Sequence, residues 1–394
     1  MKPRRVLFYL EPVTYSDSPL RLGGWWNFFS TFAIKSAGYF TSQIAASNSI
    51  CDLGSSAFSE QHRLDQIALL RCFDFDREAY SRDLCFGLGY RNRALIERLI
   101  SIKNAFQPDI VISTTDNRYL QKVFGKTHVM FTELGPLPRS GLKQSIYIDP
   151  FGHQVGSALD WFARSSWTKT AIKDFHDVWR TRWVEPTTRD AHSSGITPWL
   201  AEATRGKKIM LAALQPRDWI TYEGIGPRLD PVSLLRKLAH EVDEGWAVIP
   251  QWHGSDMPPL EALMKELVEL QPNIISPPAK FRMANSEALL PSVDCVATVS
   301  SNVAAAAVLL GKDLKILGRS KFYKFALPRY SVRPRPDILA FLSCRYCRPL
   351  DEFLTLEGAF AEHILRLNRN PRWLFDQDGI SVSTLDNFFI PDSI

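Results

Sequence analysis

Long hydrophobic runs are missing from this 394-residue chain. No window approaches about 18 consecutive apolar residues, so no membrane span is expected and any membrane contact must be peripheral. The apolar run at 6–10 is followed at once by Glu11 and Pro12, too short for the core of a signal peptide. Cysteine is scarce as well. The six present, Cys51, Cys72, Cys85, Cys295, Cys344 and Cys347, read as free thiols of a reducing cytoplasm. Cys344 and Cys347 form a lone C-x-x-C with no second Cys or His pair at zinc-finger spacing, which leaves ordinary buried thiols or a metal or redox pair as readings. Charge of one sign is nowhere concentrated. Lys and Arg number 47 against 42 Asp and Glu, a net +5 without a run of five or six like charges, so no nucleic-acid partner is expected. Repeats and low-complexity tracts are absent too.

What is present is the composition of a globular protein, 45% hydrophobic, 12% aromatic and 23% charged, with length for two or three domains. Residues 4–10 predict a strand, Gly23-Gly24 a loop, and WWNFFSTFAIKSAGYF a helix. A helix over 91–105 precedes a buried strand at 109–113, and a further strand at 127–132 ends at Glu133. Continuously apolar strands separated by helices belong to parallel sheets covered on both faces. After a polar stretch at 186–205, read as an interdomain linker, the pattern restarts. Strands are expected at 207–214, 246–253, 273–278, 294–301 and 313–318, with helices at 229–242, 258–270, 283–293 and 302–311 between them. The expectation is an α/β protein with an N-terminal Rossmann-like acceptor domain over 1–200, a C-terminal Rossmann-like donor domain over 201–349, and a helical tail over 350–394 packing back across both. Two such domains facing a crevice constitute the GT-B architecture.

In open α/β sheets ligands sit beyond the carboxyl ends of the strands, so polar residues there are the candidates. Ser300, Ser301 and Asn302 lead into a helix of small residues, where hydroxyls, an amide and backbone N–H groups suit an anion; simple N-capping is the alternative. His253 ends another expected strand of the same domain and can donate to a phosphate, or is an ordinary surface or core histidine. The neighbouring strand end offers Gln215, Arg217 and Asp218, the last as nucleophile, base or turn residue. Glu133 stands before a Gly/Pro loop, where a base that activates an acceptor would sit, or it caps a helix or pairs with Arg139. Trp25, Trp26, Phe28 and Phe29 either form helix-to-sheet core or stack on a sugar or lipid-linked acceptor.

Gln215-Pro216, then His253, then Ser300-Ser301 with a small-residue helix, Gly311-Lys312 and the Gly318 to Tyr323 spacing, resemble the capsule-polysaccharide biosynthesis family, which includes the retaining β-Kdo glycosyltransferases. The likeness is strongest over 207–323 and extends to ELGPLPRSGLKQSIYID, which is similar to the family's E-D-G-F-L-R-S segment. Two departures stand out: Gly254 where the family has proline after the histidine, and NVAAAAVLLGK where it has Gly and then Glu-Ala-Leu. The resemblance implies a cytoplasmic, membrane-peripheral enzyme of O-antigen or capsule assembly that moves β-Kdo from CMP-β-Kdo to a glycan or lipid-linked glycan. It implies double displacement on Asp218, with Asp230 a second choice, and Glu133 as base. His253, Ser300, Ser301 and Asn302 would hold the phosphate and sugar carboxylate. Gln215, Arg217 and Arg282 would assist, and Lys321 and Tyr323 would line the nucleotide side. No cofactor or metal is expected, because Asp74-Phe75-Asp76 is the one D-x-D triplet weighed and it lies in a polar connecting segment. Another CMP- or UDP-sugar donor, or a non-catalytic glycan-binding module, are the competing readings.

Overall fold

The computed structural model describes residues 3–13, 19–164, 167, 172–216, 219–252, 261–282, 286–327 and 335–390, with the side chains at 19–23, 261–263, 279 and 282 left out. Its strands are β1 (Arg4–Tyr9), β2 (Phe40–Ser47), β3 (Gln61–Leu64), β4 (Ile110–Ser113), β5 (Val129–Leu134), β6 (Ser145–Asp149), β7 (Lys208–Ala213), β8 (Trp246–Gln251), β9 (Cys295–Thr298), β10 (Asp313–Ile316) and β11 (Cys347–Pro349). They form a seven-stranded sheet in the order β11-β6-β5-β4-β1-β2-β3 and a four-stranded sheet in the order β10-β9-β7-β8. Strands β1 to β5 pair in parallel, and so do all strands of the second sheet. The apolar runs at β1 and β4 are buried because helices cover both faces of a parallel sheet. The chain therefore has the α/β, GT-B type of fold that its sequence predicts, with two Rossmann-like units.

Several sequence expectations change in detail. The polar stretch at 186–205 is largely helical: the helices Glu185–Ser193 and Ile196–Thr204 cover most of it and bury Thr187, Ala191, Ile196 and Leu200. The strand expected at 273–278 reduces to one bridge between Val248 and Ile274, since Pro272, Pro277 and Pro278 remove the N–H groups a ladder needs. Strand β2 was not legible, because Ser42, Gln43 and Ser47 interrupt its apolar pattern although all three are buried. β11 lies within the span expected for the second domain, yet it pairs antiparallel with β6 of the first sheet. The tail forms the helices Leu350–Thr355 and Ala359–Arg369, and Phe360 stacks on Phe32 with ring centroids 4.4 Å apart. Trp26 and Phe29 are buried with Phe8 and Phe58, and Trp25 and Phe28 pack beside them, so this aromatic cluster is core.

The two units meet along helices Arg77–Phe86 and Ile220–Ile225. Ser81 donates to Glu223 at 2.9 Å, and the Arg82 guanidinium donates to the Gly226 carbonyl at 3.0 Å. Gly224 allows this approach: a Cβ there would lie 2.5 Å from Cys85 Sγ and 3.1 Å from the Ser81 carbonyl oxygen.

Candidate functional site at the strand ends

Glu133 lies in β5, one residue from its carboxyl end, and its position is set by partners from three other segments. Its Oε2 accepts from Lys321 Nζ at 2.9 Å, from the Tyr147 hydroxyl at 3.3 Å and from Gln154 Nε2 at 3.5 Å. Tyr147 is its register partner on β6, and Lys321 follows β10 of the other sheet. Oε1 makes no hydrogen bond to any described residue, and about a third of the side chain (34%) is open to solvent while Lys321 is fully enclosed. One oxygen is thus anchored and the other is free to meet a ligand. Burial pushes the Glu133 carboxyl up, but Lys321 and His153 and the hydrogen bonds from Lys321 and Tyr147 outweigh it and hold the group below the usual carboxylate range. The carboxylate is neither a helix cap nor an Arg139 partner.

His153 backs this arrangement. It is buried, with Nδ1 2.9 Å from the Tyr147 oxygen and Nε2 3.4 Å from Gln154 Nε2. Burial holds it below the ordinary imidazole value against the pull of Glu133 and Asp116. The neutral ring fits in one tautomer, Nδ1–H donating to Tyr147 and Nε2 accepting from the Gln154 amide. Asp116, just past β4, fixes the loop by accepting from the backbone N–H groups of His153 at 3.0 Å and Gln154 at 2.9 Å.

On the second sheet, Gln215 and Ser300 are brought together beyond the adjacent ends of β7 and β9. The Ser300 N–H donates to Gln215 Oε1 at 2.8 Å and Gln215 Nε2 donates to Ser300 Oγ at 3.1 Å. Ser301 Oγ accepts from the Val303 N–H at 3.4 Å, just before the seven-residue helix Val303–Leu309. Asn302 reaches the first unit, donating to the Leu134 and Gly135 carbonyls at 3.1 and 3.4 Å, while its buried Oδ1 has no partner among the described residues. Asn302 thus ties the strand-end turn of the second sheet to the two residues that follow Glu133. Gly135 makes the turn there possible, since a Cβ would stand 2.2 Å from Ser145 Oγ.

Not every expected residue joins this cluster. Lys321 is buried and pairs with Glu133 of the first unit, and Tyr323 is exposed at the start of the 3-10 turn Tyr323–Ala326. Asp230 caps helix Pro231–His240, accepting from the N–H groups of Val232 and Ser233 and from the Ser233 hydroxyl at 2.6 Å, so it is committed to a structural role. Asp76 likewise caps helix Arg77–Phe86. Arg217, Asp218 and His253 lie outside the described residues, as does the side chain of Arg282. Among the described residues no group of three or more His, Cys, Asp or Glu is placed to hold a metal ion, and no helix is long and apolar enough to cross a membrane.

Sequence reasoning missed Glu11, Asp116, His153, Gln154 and Glu287. Glu11 follows an apolar strand as Glu133 does, a signal that was available; it accepts from Tyr9 at 3.0 Å, Asn117 at 3.3 Å and Tyr80. Glu287 spans the two units, accepting from the Arg139 N–H at 2.9 and 3.0 Å and the Ser140 N–H at 2.9 Å, and nothing local in the sequence marks it.

No family model matches the chain, and no curated protein matches it. Among solved structures it is similar to the β-Kdo 2,7-transferase of Thermosulfurimonas dismutans KpsC, at 12% identity and a TM-score of 0.46 over 91% of this chain and 99% of that one. The β-Kdo 2,4-transferase of the same KpsC gives 12% identity and 0.34 over 82% of each chain. The glycosyltransferase SnogD of Streptomyces nogalater gives 11% and 0.29 over 98% and 99%. At these values the likenesses carry no functional argument by themselves.

Proposed function

We propose that this chain is a glycosyltransferase that takes a sugar from a nucleotide-activated donor at the strand ends of the second sheet and passes it to an acceptor hydroxyl at Glu133. The observation that carries the reading is the Glu133 carboxylate, one oxygen held by three donors and the other open, beside the Gln215, Ser300, Ser301 and Asn302 cluster. A carboxylate held ionised is ready to take a proton from an attacking hydroxyl.

In its fuller form the donor is CMP-β-Kdo, a reading supported by the sequence resemblance around Gln215, Ser300-Ser301 and Gly318. An Asp218 oxygen attacks the anomeric carbon, and CMP departs with the electron pair of the broken carbon–oxygen bond. His253 and the Ser300 to Asn302 turn would steady the charge on the leaving phosphate, with Arg217 or Arg282 on the sugar carboxylate. The acceptor hydroxyl then displaces Asp218, its proton passes to Glu133, and net configuration is retained. Neither a cofactor nor a metal ion takes part in this scheme, and the acceptor is a bacterial surface glycan, free or lipid-linked, reached from the cytoplasm.

Incubation with CMP-Kdo, with and without EDTA, tests this directly. CMP release that survives the chelator is expected. Release only from a UDP-sugar would overturn the donor assignment, release abolished by EDTA would overturn metal independence, and silence with every nucleotide sugar would leave a binding module.

A further inference from the structure

Lys321 is wholly enclosed, and a buried ammonium needs a partner that offsets its lost hydration. Its Nζ donates to Glu133 Oε2 at 2.9 Å and to the Tyr147 hydroxyl at 3.3 Å, and it lies 4.5 Å from the centre of the Tyr147 ring. Its own backbone N–H donates to Gln154 Oε1 at 3.3 Å, the residue whose amide also reaches Glu133. A surface lysine would serve a nucleotide phosphate, whereas this one is spent inside the protein. We propose that Lys321 is the positioning residue for Glu133: reaching over from the second unit, it clamps Oε2 and leaves Oε1 turned to the acceptor. The inference rests on the reading of Glu133 as the acceptor's base.

Clamping from the second unit makes the state of Glu133 depend on contact between the units. Two further contacts hold the same stretch of chain, Asn302 on Leu134 and Gly135 and Glu287 on Arg139 and Ser140. The titratable groups that face Glu133 are Lys321 from beyond β10, Tyr147 on β6 and His153 in the loop after it, with Asp116 beyond β4 behind His153. Among the described residues, Lys321 is the one that brings a permanent positive charge to the carboxylate. Without it, burial is opposed by His153 and the Tyr147 hydroxyl but no longer by the ammonium, and Glu133 takes up its proton at higher pH.

The test replaces Lys321 by methionine, which keeps the length and removes the charge, and follows Glu133 by carbon NMR of protein labelled at the glutamate carboxyl, with Glu133→Gln identifying the resonance. The carboxyl titration should move up by about one pH unit or more. The acid limb of kcat/KM should move with it while the donor KM stays within about twofold. An unmoved Glu133 titration overturns the proposal, and so does a raised donor KM with an unmoved acid limb, which returns Lys321 to the nucleotide. Should Lys321→Met fold poorly, the double variant Lys321→Met/Glu133→Gln decides: pairing requires it to be more stable than the sum of the single losses, and additive losses refute it. The NMR and stability readouts need no turnover, so failure of the glycosyltransferase reading would show separately.

Discussion

Glu11 and Asp149 are enclosed carboxyls whose donors do not fully offset burial. Burial pushes both up to about 7, although Glu11 accepts from Tyr80 and Tyr9 and Asp149 accepts from the N–H groups of Phe151, Ala158 and Gly152. A folded-state value above the ordinary 4.5 or 3.8 means the folded chain binds these protons more tightly than the unfolded chain. Their contribution to stability is therefore full in acid below the ordinary values and is lost as pH rises toward 7, at up to roughly 1.4 kcal/mol per pH unit for each group. Glu11→Gln or Asp149→Asn should flatten the fall of the urea midpoint between about pH 5 and 7. A slope identical to that of the parent would show that neither group holds its proton in the folded chain. Glu133 behaves oppositely, since Lys321 holds it ionised, and this contrast separates the two framework carboxyls from one available to chemistry.

At the scale of elements, what the sequence revealed depended on how purely each segment followed one period. β1, β4, β5, β7 and β9 are continuous apolar runs and were visible, whereas β2 mixes Ser42 and Gln43 into a buried strand and was not. The helices at 185–204 were hidden by Thr, Ser and Gly, and they hold through packing of Trp183, Ala191 and Leu200. Of the site, Glu133, Gln215 and Ser300 to Asn302 were legible because an apolar strand points to whatever polar residue ends it. The partners that fix Glu133 were not: Lys321 is 188 residues away and Tyr147 is 14, and such pairings exist only after the sheets are assembled. Element contacts also carry a sharp sensitivity at Gly224. Gly224→Ala would drive a methyl group into Cys85 and the Ser81 carbonyl, and overpacking of this kind costs about 1–3 kcal/mol. A lowered unfolding midpoint is expected, and Gly224→Ala/Cys85→Ala should regain less than the full loss because the Ser81 carbonyl is backbone. A single variant as stable as the parent would mean the two helices are not held at this separation.

For the whole molecule, the carboxyl ends of β5 and β9 meet through Asn302, and the chain then returns to the first sheet through β11 and the tail helices. That return path ties residues 347–390 to the unit that holds Glu133, while Lys321, Asn302 and Glu287 tie Glu133's own loop to the other unit. The site is thus a property of both units together, in keeping with a transfer from a donor on one side to an acceptor on the other. The central claim, that Glu133 activates the acceptor in a double displacement, is tested most directly by the intact mass of Glu133→Gln mixed with CMP-Kdo and a glycan acceptor. The account predicts a protein heavier by one Kdo unit on Asp218, because the first displacement proceeds and the second stalls. Unmodified protein turning over at the parent rate would contradict it.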